Sequence, residues 1–326
     1  MTEQEYRQHS ALNYSLLKTL DFNPKLVINR APLESDSLLA GSVVDCLLTG
    51  TEEEFKDKFV ISDSKTTPTG QVLQFTEKLA SAGIDSLEIR QQIYKDLGIK
   101  SPATYEGFLK KWEENHGPTY LTFLQSLKGN KKAVTPAMYT ECDNLAKILK
   151  EHEFTSTYFN LGLDRQFLNQ FAIIFNIEEV QCKALLDKVI VDHLEKTIRP
   201  LDIKTTSEYL SNWLSTSFLK YRYDMQAAFY TLAVMSWRDV FYPDYSVLPF
   251  RFLVGSFAQP NTPMVYEVSE KDLKAGLNGG TLPSGKKMRG ILDLITDYLW
   301  HLEQDKWDYP RVVYQNRGKI TTDLYL

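Results

Sequence analysis

The chain has 326 residues, 43% of them hydrophobic and 24% charged, with a formal net charge of −5. That length gives one large domain or two modest ones with ample apolar material for a core, and the negative balance argues against a protein that coats nucleic acid through overall positive charge. No apolar run reaches the length of a membrane span, the polar start "MTEQEYRQHSALNYS" is no secretory signal, and three cysteines (Cys46, Cys142, Cys182) are too few for a disulfide scaffold. The expectation is a cytoplasmic protein with no membrane contact.

In chain order, "LNYSLLKTLDF" (12–22) reads as a helix with Ser15 as its N-cap, closed at Pro24. "LLAGSVVDCLLTG" (38–50) reads as a buried helix entered at Gly41 and ended at Gly50, with one polar exception, Asp45. From 66 to 150 the chain is charged and helical, with turn signals such as "SAG" and "NHGP" and no internal repeat. The pattern changes near 153, which divides the chain into a mainly helical part, 1–150, and a second part, 151–326.

Residues 165–206 are rich in Ile, Val, Phe and Leu and broken at "NIEE" and "HLEK", which predicts three strands in a meander. His193 falls in the second turn, facing solvent. A long amphipathic helix follows over 215–240, then strands at 250–258 and 264–269 and a helix over 290–304. The Gly-rich stretch "LNGGTLPSGKKMRG" (277–290) lacks the strand-then-helix context of a dinucleotide loop, and reads as a surface loop or a basic loop that touches phosphates. The fold class is α/β, a mixed central sheet flanked by helices, with a helical N-terminal part.

Two segments carry chemistry. In "KALLDKVIVD", Asp187 is a carboxylate among aliphatic neighbours, costly to bury unless paired or bound to a cation. In "LDIKTT", Asp202 and Lys204 are two apart, so on a strand they share a face. The two threonines read as the start of the turn out of the strand. A hairpin can bring Asp187 and Asp202 together, where a divalent cation such as Mg²⁺ or Mn²⁺ removes their repulsion. Lys204 would then stand beside a metal-bound water. The other reading makes Asp202 and Lys204 a solvated ion pair and Asp187 a strand-end residue; the residues by themselves leave both open. On the following helix, Gln226 and Tyr230 are at i and i+4 and share a face that can look back at the carboxylates. Tyr221, Tyr223 and Phe229 at helical spacing read as core. Lys220 and Arg222 either contact DNA phosphates or solvate the helix. No histidine pair has metal-ligand spacing and there is no P-loop.

These segments resemble the PD-(D/E)XK nuclease superfamily, and within it the RecE-like phage and prophage exodeoxyribonucleases with their RecB-type nuclease domain. The resemblance rests on "CKALLD" with Asp187, on "DIKTT" (Asp202 to Thr206), and on "YRYDMQAAFY" with Gln226 and Tyr230. It extends to "LNYSLLKTLDFNPK", to "LAGSVVDCLLTG", and to Trp307-Asp308-Tyr309-Pro310 near the end. It implies a restriction-endonuclease-like core in 151–326. It also implies Mg²⁺ (or Mn²⁺) held by Asp187, Asp202 and the Ile203 backbone carbonyl, with Lys204, Gln226 and Tyr230 completing the catalytic set. Asp45 stands where relatives carry a metal-holding His or Glu, which implies a further metal ligand; the other reading has it cap or bond backbone in a helical core. The implied activity is hydrolysis of linear double-stranded DNA, 5′ to 3′, in a bacterial host cell, to expose 3′ strands for recombination. A single-strand annealing protein and a homo-oligomer are the implied partners. The alternatives are a structure-specific or single-strand endonuclease of the same fold, or an inactive DNA-binding protein. Three scattered cysteines are one short of the four that hold an iron–sulfur cluster in some relatives.

Overall fold

The computed structural model describes residues 1–319 except 2, 30–34, 63–66, 103, 128, 130, 161 and 163. The chain divides into two compact units, one made of 1–41 with 144–326 and the other of 42–143.

The larger unit is built on the apolar stretch 165–206, where β-branched and aromatic residues favour pleated strands. Its strands are β1 (Leu12–Asn13), β2 (Arg165–Ile177), β3 (Val180–Asp192), β4 (Thr197–Thr206), β5 (Ser246–Val247), β6 (Arg251–Ser256) and β7 (Met264–Glu267). They form one seven-stranded mixed sheet. The turns between β2, β3 and β4 use left-handed residues, Glu178 (φ 52°) and Lys196 (φ 47°), which bears out the expected meander. β2 pairs with β3 from Arg165↔Asp192 to Ile177↔Val180, with a break at the left-handed Gln170 (φ 46°) opposite Asp187. β3 pairs with β4 only from Asp192↔Thr197 to Lys188↔Leu201. Beyond that point β4 lies parallel to β6, Leu201↔Arg251 to Thr206↔Ser256. The edge of β3 that β4 has left is taken, at Cys182 and Lys183, by β1. The sheet therefore forks after Lys188 and Leu201. β5 adds to the start of β4, and β7 closes the far side against β6.

The longer helices of this unit include α1 (Glu3–Gln8), α2 (Tyr14–Phe22), and, after those of the second unit, α9 (Tyr223–Phe241), α10 (Glu270–Asn278) and α11 (Ile291–Gln304); Lys25–Ile28 and Arg311–Gln315 are short helical turns. Parallel strands need a crossover, and α9 supplies it between β4 and β6. Its buried Ala227, Ala228, Phe229, Ala233 and Val234 join a core with Leu186, Val189, Ile198, Phe252 and Val254 of the sheet. Among the described residues, helices α3 (Asp36–Thr49), α4 (Gly70–Ala82), α5 (Leu87–Asp96), α6 (Tyr105–Glu114), α7 (Gly117–Ser126) and α8 (Pro136–Glu151) lie wholly or partly in 42–143. There α4 to α7 enclose Val72, Phe75, Leu79, Phe108 and Trp112. The Trp112 indole donates to Thr76 Oγ1 at 2.9 Å. No helix among the described residues is long and apolar enough to cross a membrane.

Several local expectations are corrected. The N-cap of α2 is Asn13, which accepts from Leu16 N at 2.9 Å, and not Ser15; pairing with β3 holds Asn13 extended, the conformation a cap needs. The helix expected to enter at Gly41 starts at Asp36. Gly41 lies inside it, where a Cβ would come 3.2 Å from Thr205 Oγ1. The two threonines of "DIKTT" stay in β4, because β6 continues to pair with them. The helix expected from 215 begins at Tyr223: a 3₁₀ turn (Leu210–Asn212), a π turn (Leu214–Phe218) and the left-handed Arg222 (φ 56°) precede it. α10 was not foreseen, and the Gly-rich stretch contains a small hairpin, Gly280–Thr281 with Lys287–Met288.

α10 crosses the first turn of α9 at Gly276, where a Cβ would lie 2.3 Å from the Asp224 carbonyl oxygen. Overpacking at such a contact costs about 1–3 kcal/mol. Gly276→Ala should lower the unfolding free energy by that amount in a urea titration; an unchanged midpoint would mean that the two helices have room to separate.

Candidate active site

The fork sets the site. Asp187 and Asp202 are each one residue past the last β3–β4 pair, so they lie on the same face of the sheet. With the ladder ended, the N–H of Ile203 has no β3 carbonyl opposite it. It donates instead to Asp187 Oδ2 at 2.8 Å. N–H and C=O of one strand residue point to the same side, so the Ile203 carbonyl also faces the opening between the strands. Asp187 is half-buried.

Asp202 is 2% exposed. Its Oδ1 accepts from Gln226 Nε2 at 2.8 Å, a bond made possible by α9 crossing over this face. Its Oδ2 has the Lys204 ammonium against it, but not along a hydrogen-bonding direction, which leaves that oxygen without an aligned donor. Burial raises the Asp202 carboxyl above its ordinary range, against the pull of Lys204 and Gln226. Burial also works to lower the Lys204 ammonium, but Asp202, then Tyr223 and Asp187, outweigh it and hold Lys204 above its usual value. The Lys204 Nζ lies 5.0 Å from the Tyr223 ring centroid and 5.9 Å from that of Phe252. Tyr223 in turn stacks on Trp213 at 5.5 Å. The lysine is thus framed by aromatic faces, which attract its charge. Sequence reading missed this frame. Tyr223 looked like core, and Phe252 becomes visible only through the β4–β6 register that sets it opposite Asp202.

Tyr230 sits one turn beyond Gln226, half-buried, its ring edge-on to Tyr14 at 6.5 Å. Burial, then Asp202, Tyr6 and Asp187, hold its hydroxyl well above the ordinary tyrosine range, with Gln226 opposing them. The structure therefore gathers Asp187, Asp202, Ile203, Lys204, Gln226 and Tyr230. Asp45 lies in the other unit, half-buried on α3, where its Oδ1 accepts from Thr49 Oγ1 at 3.3 Å. Lys183, the lysine of "CKA", is structural: its Nζ donates to the carbonyls of Tyr6 (2.7 Å) and His9 (2.6 Å) beyond the fork. Arg222 is structural too. It is buried, grips both oxygens of Asp224 at 3.1 Å, reaches Asp21 at 3.2 Å, and donates to the Arg289 carbonyl at 2.6 Å. It is not placed to meet a phosphate.

These residues fit a hard divalent cation. Asp202 Oδ2 is a buried oxygen lacking an aligned donor, Asp187 stands on the opposite arm of the fork, and the Ile203 carbonyl faces the same opening. Two carboxylates and one ammonium leave one net negative charge, which a divalent cation and a phosphodiester together bring to neutrality. Among the described residues no three His, Cys, Asp or Glu side chains form a metal-holding group by themselves. Two carboxylates on facing strands match an ion such as Mg²⁺, which keeps several waters and takes one or two carboxylates.

Residues 25–279 match the model of a family described as a PDDEXK-like domain of unknown function (DUF3799). The chain belongs to this PDDEXK-like family. The match bears out the PD-(D/E)XK expectation and does not reach the RecE-like subdivision. PD-(D/E)XK nucleases generally use divalent metals. No curated protein matches the chain. Among solved structures that match is a crystal structure of a "Putative exonuclease" from Eubacterium rectale, 11% identical, with a TM-score of 0.49, covering 100% of this chain and 96% of that one. Asp187 and Asp202, one on each arm of the fork, and Lys204 all lie within the matched residues.

Removing one partner of a buried ion pair strands the other. Lys204→Met, studied in chelator, should therefore lose about 3 kcal/mol of unfolding free energy. A urea midpoint equal to wild type would show that water reaches Asp202 freely.

Proposed function

We propose that the protein is a divalent-metal-dependent deoxyribonuclease that degrades linear double-stranded DNA from its ends. The observation that carries the reading is the convergence, at the fork of the sheet, of Asp187, Asp202 and Lys204 on one face, under Gln226. Asp187, Asp202 and the Ile203 carbonyl would hold the cation. When bound, the cation supplies a nucleophilic water at neutral pH and polarises the phosphoryl oxygen.

The chain's own residues have separate tasks. Gln226 fixes the Asp202 carboxylate from above, leaving Oδ2 for the ion. Lys204, held by Tyr223 and Phe252, presents its ammonium to the attacking water and to the charge that develops on the phosphoryl oxygens. A donor of that kind contributes about 10²–10³ in rate. Tyr230 closes the site on the helix side and orders the scissile phosphate. Asp45 as a further ligand rests on the sequence resemblance. So do action from DNA ends, 5′ to 3′ direction, an annealing-protein partner and a homo-oligomeric assembly.

Linear and closed-circular duplex DNA, with Mg²⁺ or chelator, test the reading. Wild type should consume only the linear DNA, and chelator should stop it. Asp202→Asn and Lys204→Ala should each lower the rate by at least about 100-fold, while full activity in Asp45→Ala would remove Asp45 from the ligand set. Digestion of the circle would make the protein an endonuclease. Binding without cleavage in either metal would make it a DNA-binding protein.

With a net charge of −5, engagement of DNA depends on locally placed cations. The rate at limiting DNA should therefore fall steeply between about 50 and 200 mM salt; a flat profile would contradict phosphate contacts of that kind.

A further inference from the structure

The segment between β4 and α9 exposes apolar and aromatic side chains beside the site. Tyr221 is the notable one, 40% exposed at the foot of α9. Its backbone is fixed on both sides. Its N–H donates to the Ser217 carbonyl at 2.9 Å, and the Tyr14 hydroxyl lies 2.6 Å from its own carbonyl oxygen. Arg222, next in the chain, is locked by Asp224 and Asp21. The ring is thus presented to solvent from a rigid base.

Two ammonium groups lie over that ring. Lys220 Nζ lies 5.2 Å from its centroid and Lys18 Nζ 5.5 Å. Lys220 is exposed and has no acidic partner within ion-pair distance among the described residues. The nearby acids Asp21 and Asp224 are engaged by Arg222. On its inner side, Tyr221 meets the ring of Tyr223 at 5.8 Å, and Tyr223 carries the Lys204 ammonium at 5.0 Å. One ring therefore separates the exposed aromatic face from the reacting lysine.

A partly exposed aromatic ring with two long-chain ammonium groups over it suits one chemical unit, a nucleobase that takes the ring while its adjoining phosphates draw the lysines. Base–aromatic stacking is indifferent to sequence, because every base has a π face. Bases inside a duplex are already stacked on their neighbours, so only an unpaired base can lie on Tyr221. We infer that Tyr221, with Lys18 and Lys220, is a stacking platform for an unpaired base of the strand being cut, so that the strand reaches Lys204 frayed or single-stranded. This rests on the nuclease reading and narrows its substrate.

The test is binding of fluorescein-labelled oligothymidylate by anisotropy, in chelator so that nothing is cut, for wild type, Tyr221→Phe and Tyr221→Ala. Tyr221→Phe keeps the π face and should bind like wild type. Tyr221→Ala should bind about 5- to 150-fold more weakly. On an oligonucleotide with abasic sugars in place of its bases, all three should bind alike, and Lys18→Gln with Lys220→Gln should weaken both ligands. Equal binding of thymidylate by Tyr221→Ala and wild type would overturn the platform. So would an equal loss on the abasic strand, or no binding by wild type. A parallel incubation with Mg²⁺ and Mn²⁺ separates the two ideas. Tyr221-dependent binding without cleavage removes the nuclease and keeps the platform; cleavage with Tyr221-independent binding removes only the platform.

Discussion

The end of the β3–β4 ladder at Lys188 and Leu201 is the constraint on which the rest depends. Had the strands stayed paired, Ile203 would bond β3 backbone, and Asp187 and Asp202 would be neighbours with no opening between them. Because they part, the Asp187 carboxylate takes over the partnership of the Ile203 N–H. A buried strand amide left without a partner is costly, so Asp187 stabilises the fork as well as facing it. The same carboxylate thus holds the Ile203 N–H and borders the opening of the fork.

What holds the fork open is distributed over three elements. β6 keeps β4 on its new course, β1 covers the edge of β3 that β4 left, and α9 lies over the face with Gln226 reaching down to Asp202. Each is a distant contact in sequence. The polar face they create is small, and its charges are nearly matched before any ion is added. Aromatic rings complete it: Tyr223 and Phe252 bound the Lys204 ammonium without adding charge.

The polar residues of this site were legible because strand alternation and apolar flanks are local signals. Asp187 among aliphatics, Asp202 and Lys204 two apart, and Gln226 and Tyr230 one turn apart can all be placed without knowing the sheet. The errors fall where a distant strand decides. Ser15 and Asn13 both make good N-caps, and the choice went to Asn13 because Leu12–Asn13 pair with β3. Thr205 and Thr206 resemble a turn, yet the parallel pairing with β6 keeps them extended. Arg222 resembles a phosphate contact on a surface helix, but its left-handed backbone turns it inward to Asp224. Phe252 carries no signal at all until its register opposite Asp202 is known.

The pairing of β1 with β3 has a consequence for how the molecule comes into being. Leu12 meets Cys182, and Lys183 ties down the carbonyls of Tyr6 and His9. On the ribosome the first strand emerges long before its partner exists, and its two residues cannot form a sheet alone. It must wait, solvated or loosely held, until β3 has been synthesised, and the fork is finished only once β6 has followed. Topologies dominated by such distant pairings fold slowly, because the loop entropy is lost before the contacts are gained. The fork therefore waits on strands far apart in the chain, and β6 is the last of them to be synthesised.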